Sequence, residues 1–124
     1  MRVPILKQDH YLIASVQSAL ADQDFLQLRD DLSAQVGKFR ARGVIVDVTA
    51  LDVMDSFATR TLRGIADAAR LRGAETVLVG IQPDVAFAMV QLGLGLEGAT
   101  TALDLEEGLA FLQRQAEGGG NRGR

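Results

Sequence analysis

Three carboxylates and one hydroxyl fall within residues 47–56, where their types and spacing allow either structural or regulatory chemistry. Asp47 lies near the end of a β-branched run, and Asp52, Asp55 and Ser56 follow it. A side-chain oxygen of Asp55 or Ser56 can cap a following helix by accepting a hydrogen bond from a free backbone N–H. Alternatively, the Ser56 hydroxyl can carry a phosphate, because the free N–H groups and the dipole of a helix start attract an anion.

Phosphorylation of Ser56 would change the charge of this segment strongly. A phosphate adds about −1.5 to −2 charges, which here would stand beside Asp52 and Asp55 and repel an acidic partner. A third alternative is a magnesium-binding receiver or small α/β enzyme that uses Asp47, Asp52 and Asp55. Receivers usually have an adjacent acidic pair ending the first strand and a lysine ending a late one, and the sequence shows neither.

The other motifs favour catalysis only weakly. Residues 93–98 satisfy G-x-G-x-x-G, but they follow a predicted helix and run toward a strand, so a helix-ending loop is favoured over a dinucleotide site. His10 is the single histidine, and a histidine in a short turn is usually solvated. A pairing of Ser56 with His10 stays open, although no G-x-S-x-G elbow supports it. The chain has no cysteine and no P-loop, and we expect no cofactor or metal.

Composition limits the class of partner. The chain has 124 residues, 48% hydrophobic and 5% aromatic, which suits one globular domain with an aliphatic core. Its formal net charge of −3 gives no general attraction to nucleic acid or to anionic lipid. Residues 1–16 carry charges among the apolar positions, so neither a signal peptide nor a membrane span is expected, and the protein is predicted to be cytoplasmic.

Hydrophobic periodicity predicts strands that alternate with helices. Five apolar residues recur at three- and four-residue steps along the first helix: Phe25, Leu28, Leu32, Val36 and Phe39. The predicted elements are a hairpin of strands 3–7 and 11–16, helix 22–42 stopped by Gly43, strand 44–48, helix 57–72 closed by Gly73, strand 76–79, a helix from Pro83, edge strand 101–103 and helix 105–115. The sequence therefore indicates an α/β layer fold with about four helices and a mixed sheet, followed by a flexible Gly-rich tail at 117–124.

One segment resembles a known family closely. Gly-Val-Ile-Val-Asp-Val-Thr at residues 43–49, followed by Met-Asp-Ser-Phe at 54–57, is similar to the signature of STAS domains, the bacterial anti-sigma-factor antagonists. Arg-Gly-Ala at 72–74, Val-Leu-Val-Gly-Ile-Gln-Pro at 77–83 and Thr-Ala-Leu-Asp-Leu-Glu at 101–106 resemble the RsbS branch, the small STAS subunit of the stressosome. The resemblance implies one STAS domain over residues 1–116.

The resemblance also implies a non-enzymatic function. In this branch the serine of Asp-Ser-Phe is phosphorylated by a dedicated serine kinase, RsbT, which the unphosphorylated antagonist holds. Ser56 matches that serine, and Asp52, Asp55 and Phe57 would share the partner-binding surface, with Asp47 supporting the turn. The expected partners are an RsbT-like kinase and RsbR-like STAS paralogues, in a homo- or hetero-oligomer.

Two features favour the RsbS branch over RsbR-type paralogues. Those paralogues carry threonine at the acceptor motif and a second acceptor threonine in the helix after the Gly-Ile-x-Pro turn, where this chain has Phe87 and Ala88. They also carry an N-terminal sensory domain, which is not expected here. A STAS partner of an ordinary anti-sigma kinase is a third hypothesis.

Overall fold

The computed structural model describes residues 2–91, 93 and 98–122, and from residue 118 onward only the backbone. Its elements, in chain order, are β1 (Ile5–Gln8), β2 (Tyr11–Ser15), α1 (Asp22–Phe39), β3 (Gly43–Asp47), α2 (Ser56–Leu71), β4 (Glu75–Val79), α3 (Pro83–Gln91), β5 (Ala99–Ala102) and α4 (Leu105–Arg122). The predicted α/β class, the four helices and the N-terminal hairpin are confirmed.

The strands form one mixed sheet in which spatial order follows chain order. The five strands lie in the order β1-β2-β3-β4-β5; β1 is antiparallel to β2, and every other pair is parallel. Strands β2 to β5 therefore end at a common boundary, here called the carboxyl edge, and begin at the opposite boundary, the amino edge. β3 lies at the centre, which explains its continuous apolar sequence.

The tight turn of the β1–β2 hairpin lacks the residues that usually signal such a turn in a sequence. Only Asp9 and His10 separate β1 from β2, and the turn contains neither Gly nor Asn. Asp9 adopts φ 54°, a left-handed conformation that aspartate tolerates better than most residues. The hairpin therefore forms with an aspartate at the position where glycine is the usual choice.

Helices cover the two faces of the sheet unequally. Three helices pack on one face, where Phe25, Leu28, Leu32 and Val36 of α1 are buried as predicted. α4 packs on the other face, with Leu112 buried against Ile13, Ile45, Val77 and Val79. The central strands are thus covered on both faces.

The first helix ends earlier than predicted. It stops at Phe39, which is exposed and not part of the buried stripe, and Arg40 caps it in a left-handed conformation with φ 51°. Gly43 does not stop the helix but begins β3. A Cβ at Gly43 would lie 2.6 Å from Cδ1 of Leu112, so packing of α4 against the strand explains the glycine.

Two differences occur near the end of the chain. β5 covers Ala99–Ala102, so Leu103 of the predicted strand lies outside it, while its position at the edge of the sheet is confirmed. α4 continues to Arg122, beyond the predicted end at residue 115 and through three glycines. The Gly-rich composition predicts a flexible tail at residues 117–124, whereas the structure continues the helix through these glycines to Arg122.

Candidate functional site

The predicted site residues lie along the carboxyl edge, between the end of β3 and the start of α2. Asp47 is the last residue of β3, and Ser56 is the first residue of α2. The connecting loop is anchored by the buried side chains of Leu51 and Met54, so its polar residues Asp52 and Asp55 are directed to the exposed side. The structure therefore brings the candidate residues to one edge.

Asp55, and not Ser56, caps α2. Its backbone is extended, and its carboxylate Oδ1 accepts a hydrogen bond of 2.8 Å from the backbone N–H of Ala58. The backbone carbonyl of Asp55 accepts from both the N–H and the hydroxyl of Thr59. The two capping alternatives left open by the sequence are thereby resolved in favour of the aspartate, a preferred N-cap residue.

Replacing the cap should lower stability by a measurable amount. We expect Asp55→Ala to lower the free energy of unfolding by about 1 kcal/mol, because the N–H of Ala58 loses its acceptor. Asp55→Asn is the matched control: asparagine caps equally well, so its stability should stay near that of the parent protein. Urea unfolding followed by circular dichroism measures both, and equal losses in the two variants would contradict the capping role.

The Ser56 hydroxyl is left available by this arrangement. Ser56 is half-buried, and among the described residues its hydroxyl makes no hydrogen bond. As first residues of the helix, Ser56 and Phe57 have backbone N–H groups without intrahelical acceptors. A phosphate on Ser56 would stand where the helix dipole and these N–H groups favour an anion.

The three carboxylates do not converge. Asp47 Oδ1 accepts from the N–H and the hydroxyl of Thr49, at 3.0 and 2.6 Å, which ties it to its own loop. The Gln82 amide reaches Oδ1 of Asp52 at 3.4 Å, while the Asp55 carboxylate caps the helix. Within the described residues no group of three or more acidic or histidine side chains is placed to hold a metal ion. The geometry gives the magnesium alternative no support.

Two residues that support the site were missed by sequence analysis. Gln82 also donates to the backbone carbonyl of Thr49 at 2.8 Å, which joins the β4–α3 connection to the loop of the candidate site. Gly80 has φ 77°, and a Cβ there would lie 3.1 Å from Cα of Thr49 and closer still to its side chain. The Gly-Ile-Gln-Pro sequence between a strand and a helix was the available signal for such a tight turn.

Several other sequence candidates are placed differently from the site. His10 lies in the β1–β2 turn at the amino edge, so Ser56 and His10 are at opposite ends of the sheet and cannot form a dyad. Phe57 is half-buried against the core, whereas Val53, which the sequence did not single out, is 76% exposed. Residues 94–97 of the Gly-rich motif lie outside the described residues.

This arrangement of strands, helices and capped serine motif matches a known family. A model of the STAS domain matches residues 2–108. The chain belongs to the STAS family. Structural neighbours support its RsbS-like features, and STAS antagonists and scaffolds are generally not enzymes.

Two solved structures resemble this STAS chain over nearly their whole length. A serine-to-glutamate variant of RsbS from Moorella thermoacetica has a TM-score of 0.83 and 38% identity, covering 94% of this chain and 99% of that one. A chain in a structure of the stressosome, which is described as a signal integration and transduction hub, has a TM-score of 0.78 and 40% identity. The match covers 91% of this chain and 98% of that one. SpoIIAA in its unphosphorylated form, at 15% identity and a TM-score of 0.69, shares the fold.

Curated relatives match a shorter part of their own sequences. The RsbT co-antagonist protein RsbRA of Bacillus subtilis is 31% identical over 83 residues, which are 67% of this STAS chain and 30% of RsbRA. RsbRC of the same organism is 32% identical over 76 residues. The STAS chain thus spans less than a third of the length of these relatives. No helix among the described residues is long and apolar enough to cross a membrane.

Proposed function

We propose that this STAS chain is a cytoplasmic, non-enzymatic scaffold of a stressosome that holds an RsbT-like serine kinase and releases it when Ser56 is phosphorylated. The observation that carries the proposal is that two adjacent residues at the start of α2 have separate roles. Asp55 caps the helix, so the adjoining Ser56 hydroxyl is left for modification without loss of the cap. The similarity to RsbS and to a stressosome chain supports this partner class.

The proposed kinase-binding surface consists of Asp52, Asp55, Ser56 and Phe57. Asp52 and Asp55 are exposed and Ser56 is half-buried, while the ring of Phe57 packs partly against the core and so positions its neighbours. A phosphate on Ser56 would add about two negative charges to a surface that already carries two carboxylates. Where the kinase presents acidic or apolar groups to this surface, the added charge opposes binding.

Kinase affinity should therefore depend on phosphorylation while the fold survives. We expect stoichiometrically phosphorylated protein to bind the RsbT-like kinase at least about tenfold more weakly than unmodified protein, because charge is added to a desolvated contact. Isothermal titration calorimetry measures both affinities, and circular dichroism checks the fold. Undiminished kinase retention by the phosphorylated protein would contradict the proposed release.

Assembly provides a second test. The names of the relatives and of the stressosome structure support co-assembly of this chain with RsbR-like STAS paralogues. We expect at least a dimer, and a larger species when an RsbR-like paralogue is added. Sedimentation velocity distinguishes these outcomes. A strict monomer, both alone and with the paralogue, would contradict the scaffold function.

A further inference from the structure

The loop between β3 and α2 is held unevenly along its length. Its end is held by Asp55, whose carboxylate caps α2 and so fixes the position of Ser56. In its first half, residues 49–53, the side chain of Leu51 is buried and the other residues are exposed. Exposed segments with few buried contacts have low local stability. The position of this first half relative to Ser56 therefore depends on contacts from outside the loop.

Gln82 supplies such a contact. Its side-chain amide nitrogen donates to the backbone carbonyl of Thr49 at 2.8 Å and reaches Oδ1 of Asp52 at 3.4 Å. Both partners are acceptors, so the amide must turn its NH₂ group, and not its oxygen, toward the loop. The two oxygens belong to residues on either side of Leu51 in the sequence. One amide group, here called the Gln82 bridge, therefore spans the first half of the loop.

The backbone that carries this bridge is itself well held. The carbonyl of Gln82 accepts from the N–H of Ala86 at 2.9 Å, so Gln82 stands directly before α3 and takes part in its hydrogen bonding. Pro83, the first residue of α3, has a restricted φ that suits this position. A side chain mounted at the start of a helix is placed more precisely than one within a free loop. The bridge thus ties the loop to α3.

We propose that Gln82 is a positioning residue for recognition of this chain by the kinase. By holding Thr49 and Asp52, it keeps the first half of the loop at a fixed position relative to Ser56. The kinase then meets a surface that is already ordered, which favours binding because less conformational entropy is lost in the complex. This inference rests on the proposed function and adds a residue that controls access to the same site.

The bridge should affect binding and not phosphoryl transfer. The Asp55 cap holds Ser56 whether or not the Gln82 amide is present, so the reacting hydroxyl keeps its position. Loss of the bridge should therefore weaken formation of the kinase complex and leave the transfer step within that complex unchanged. In kinetic terms, the KM for this chain rises while kcat is kept.

Gln82→Met tests the bridge, because methionine has a similar length and no N–H donor. Phosphorylation of Ser56 by the RsbT-like kinase should show a KM raised about two- to tenfold, the range expected for one lost hydrogen bond, with kcat nearly unchanged. A second measurement needs no kinase. The N–H of Leu51 donates to the carbonyl of Val48 at 2.9 Å, and in the free variant its hydrogen exchange, followed by NMR, should become faster by a similar factor.

Two further variants serve as controls. Gln91→Met makes the same chemical change at the exposed end of α3 and should alter neither quantity. Gln82→Lys keeps N–H donors for Thr49 and adds an attraction to Asp52, so the exchange rate of Leu51 should return toward that of the parent protein. The urea midpoint of Gln82→Met should stay near that of the parent, because Thr49 is exposed and water can replace the lost donor.

The results distinguish the bridge from the proposed kinase switch. If the kinase phosphorylates the parent protein and Gln82→Met shows the same KM, the positioning role is overturned and the proposed function stands. A lower urea midpoint with an unchanged KM overturns it in the same way, since the bridge would then be merely structural. If the parent protein itself is not phosphorylated, the proposed function fails, and the exchange of Leu51 alone decides whether Gln82 holds the loop.

Discussion

Ser56→Ala should abolish phosphorylation by the cognate kinase and leave the stability of the domain nearly unchanged. The hydroxyl is the acceptor that we propose, whereas the helix cap belongs to Asp55. The free energy of unfolding should therefore change by no more than about 0.5 kcal/mol, as for a substitution that removes no cap and no core contact. Phosphate incorporation followed by mass spectrometry, together with urea unfolding, measures the two effects separately.

A matched variant shows whether the loss is specific. Ser33→Ala removes a half-buried helical serine of α1 and should leave phosphorylation of Ser56 intact. Ser56→Asp should stay folded and bind the kinase more weakly than the parent protein, although less so than phosphoserine does, because one carboxylate has less charge and fewer oxygens. Phosphate on another residue in the parent protein would show that Ser56 is not the functional acceptor.

Gly80→Ala should have the largest effect on stability among single substitutions near the site. We expect the free energy of unfolding to fall by about 2 to 4 kcal/mol, since two separate costs combine. The left-handed backbone at φ 77° disfavours any side chain by about 1 to 2 kcal/mol, and a Cβ would collide with Thr49. Thr49 holds the Asp47 carboxylate, so the loop of the candidate site should be displaced as well.

Substitutions at two other glycines distinguish the backbone cost from the cost of the collision with Thr49. Gly73 has φ 84°, and a Cβ there meets nothing within 4 Å, so Gly73→Ala should show only the backbone cost of about 1 to 2 kcal/mol. Gly64 lies inside α2 with open space around it, and Gly64→Ala should raise stability by about 0.5 to 1 kcal/mol. Thermal or urea unfolding of all three ranks them. A Gly80 variant no worse than the Gly73 variant would refute the collision with Thr49.

At the start of α2 the helix cap, Asp55, and the proposed phosphoacceptor, Ser56, are different residues, and this has a consequence for regulation. A phosphoacceptor that also capped its helix would change the local fold whenever it was modified. Here the cap is a neighbouring carboxylate, so we expect the proposed modification of Ser56 to alter surface charge while the Asp55–Ala58 hydrogen bond persists. Binding and stability are therefore expected to respond separately, which suits the proposed release of a kinase by a domain that stays folded.

The amino-acid sequence alone determined the class of fold and the position of the serine motif. Continuous β-branched runs such as residues 44–48 predict strands covered on both faces, and the four buried positions of α1 follow helical periodicity. These signals are local, because they depend on the period of one element. The STAS resemblance likewise rests on contiguous residues, and the family match over residues 2–108 confirms it.

The three-dimensional structure decided what depends on the exact placement of side chains or on contacts between residues far apart in sequence. Spacing could not choose between Asp55 and Ser56 as the cap, because that choice depends on which oxygen meets the N–H of Ala58. Gly43 resembled a helix stop, yet it is required by the approach of Leu112 from α4, far away in sequence. The separation of Ser56 from His10 arises because parallel strands place all their carboxyl ends together, a property of the sheet and not of any single segment.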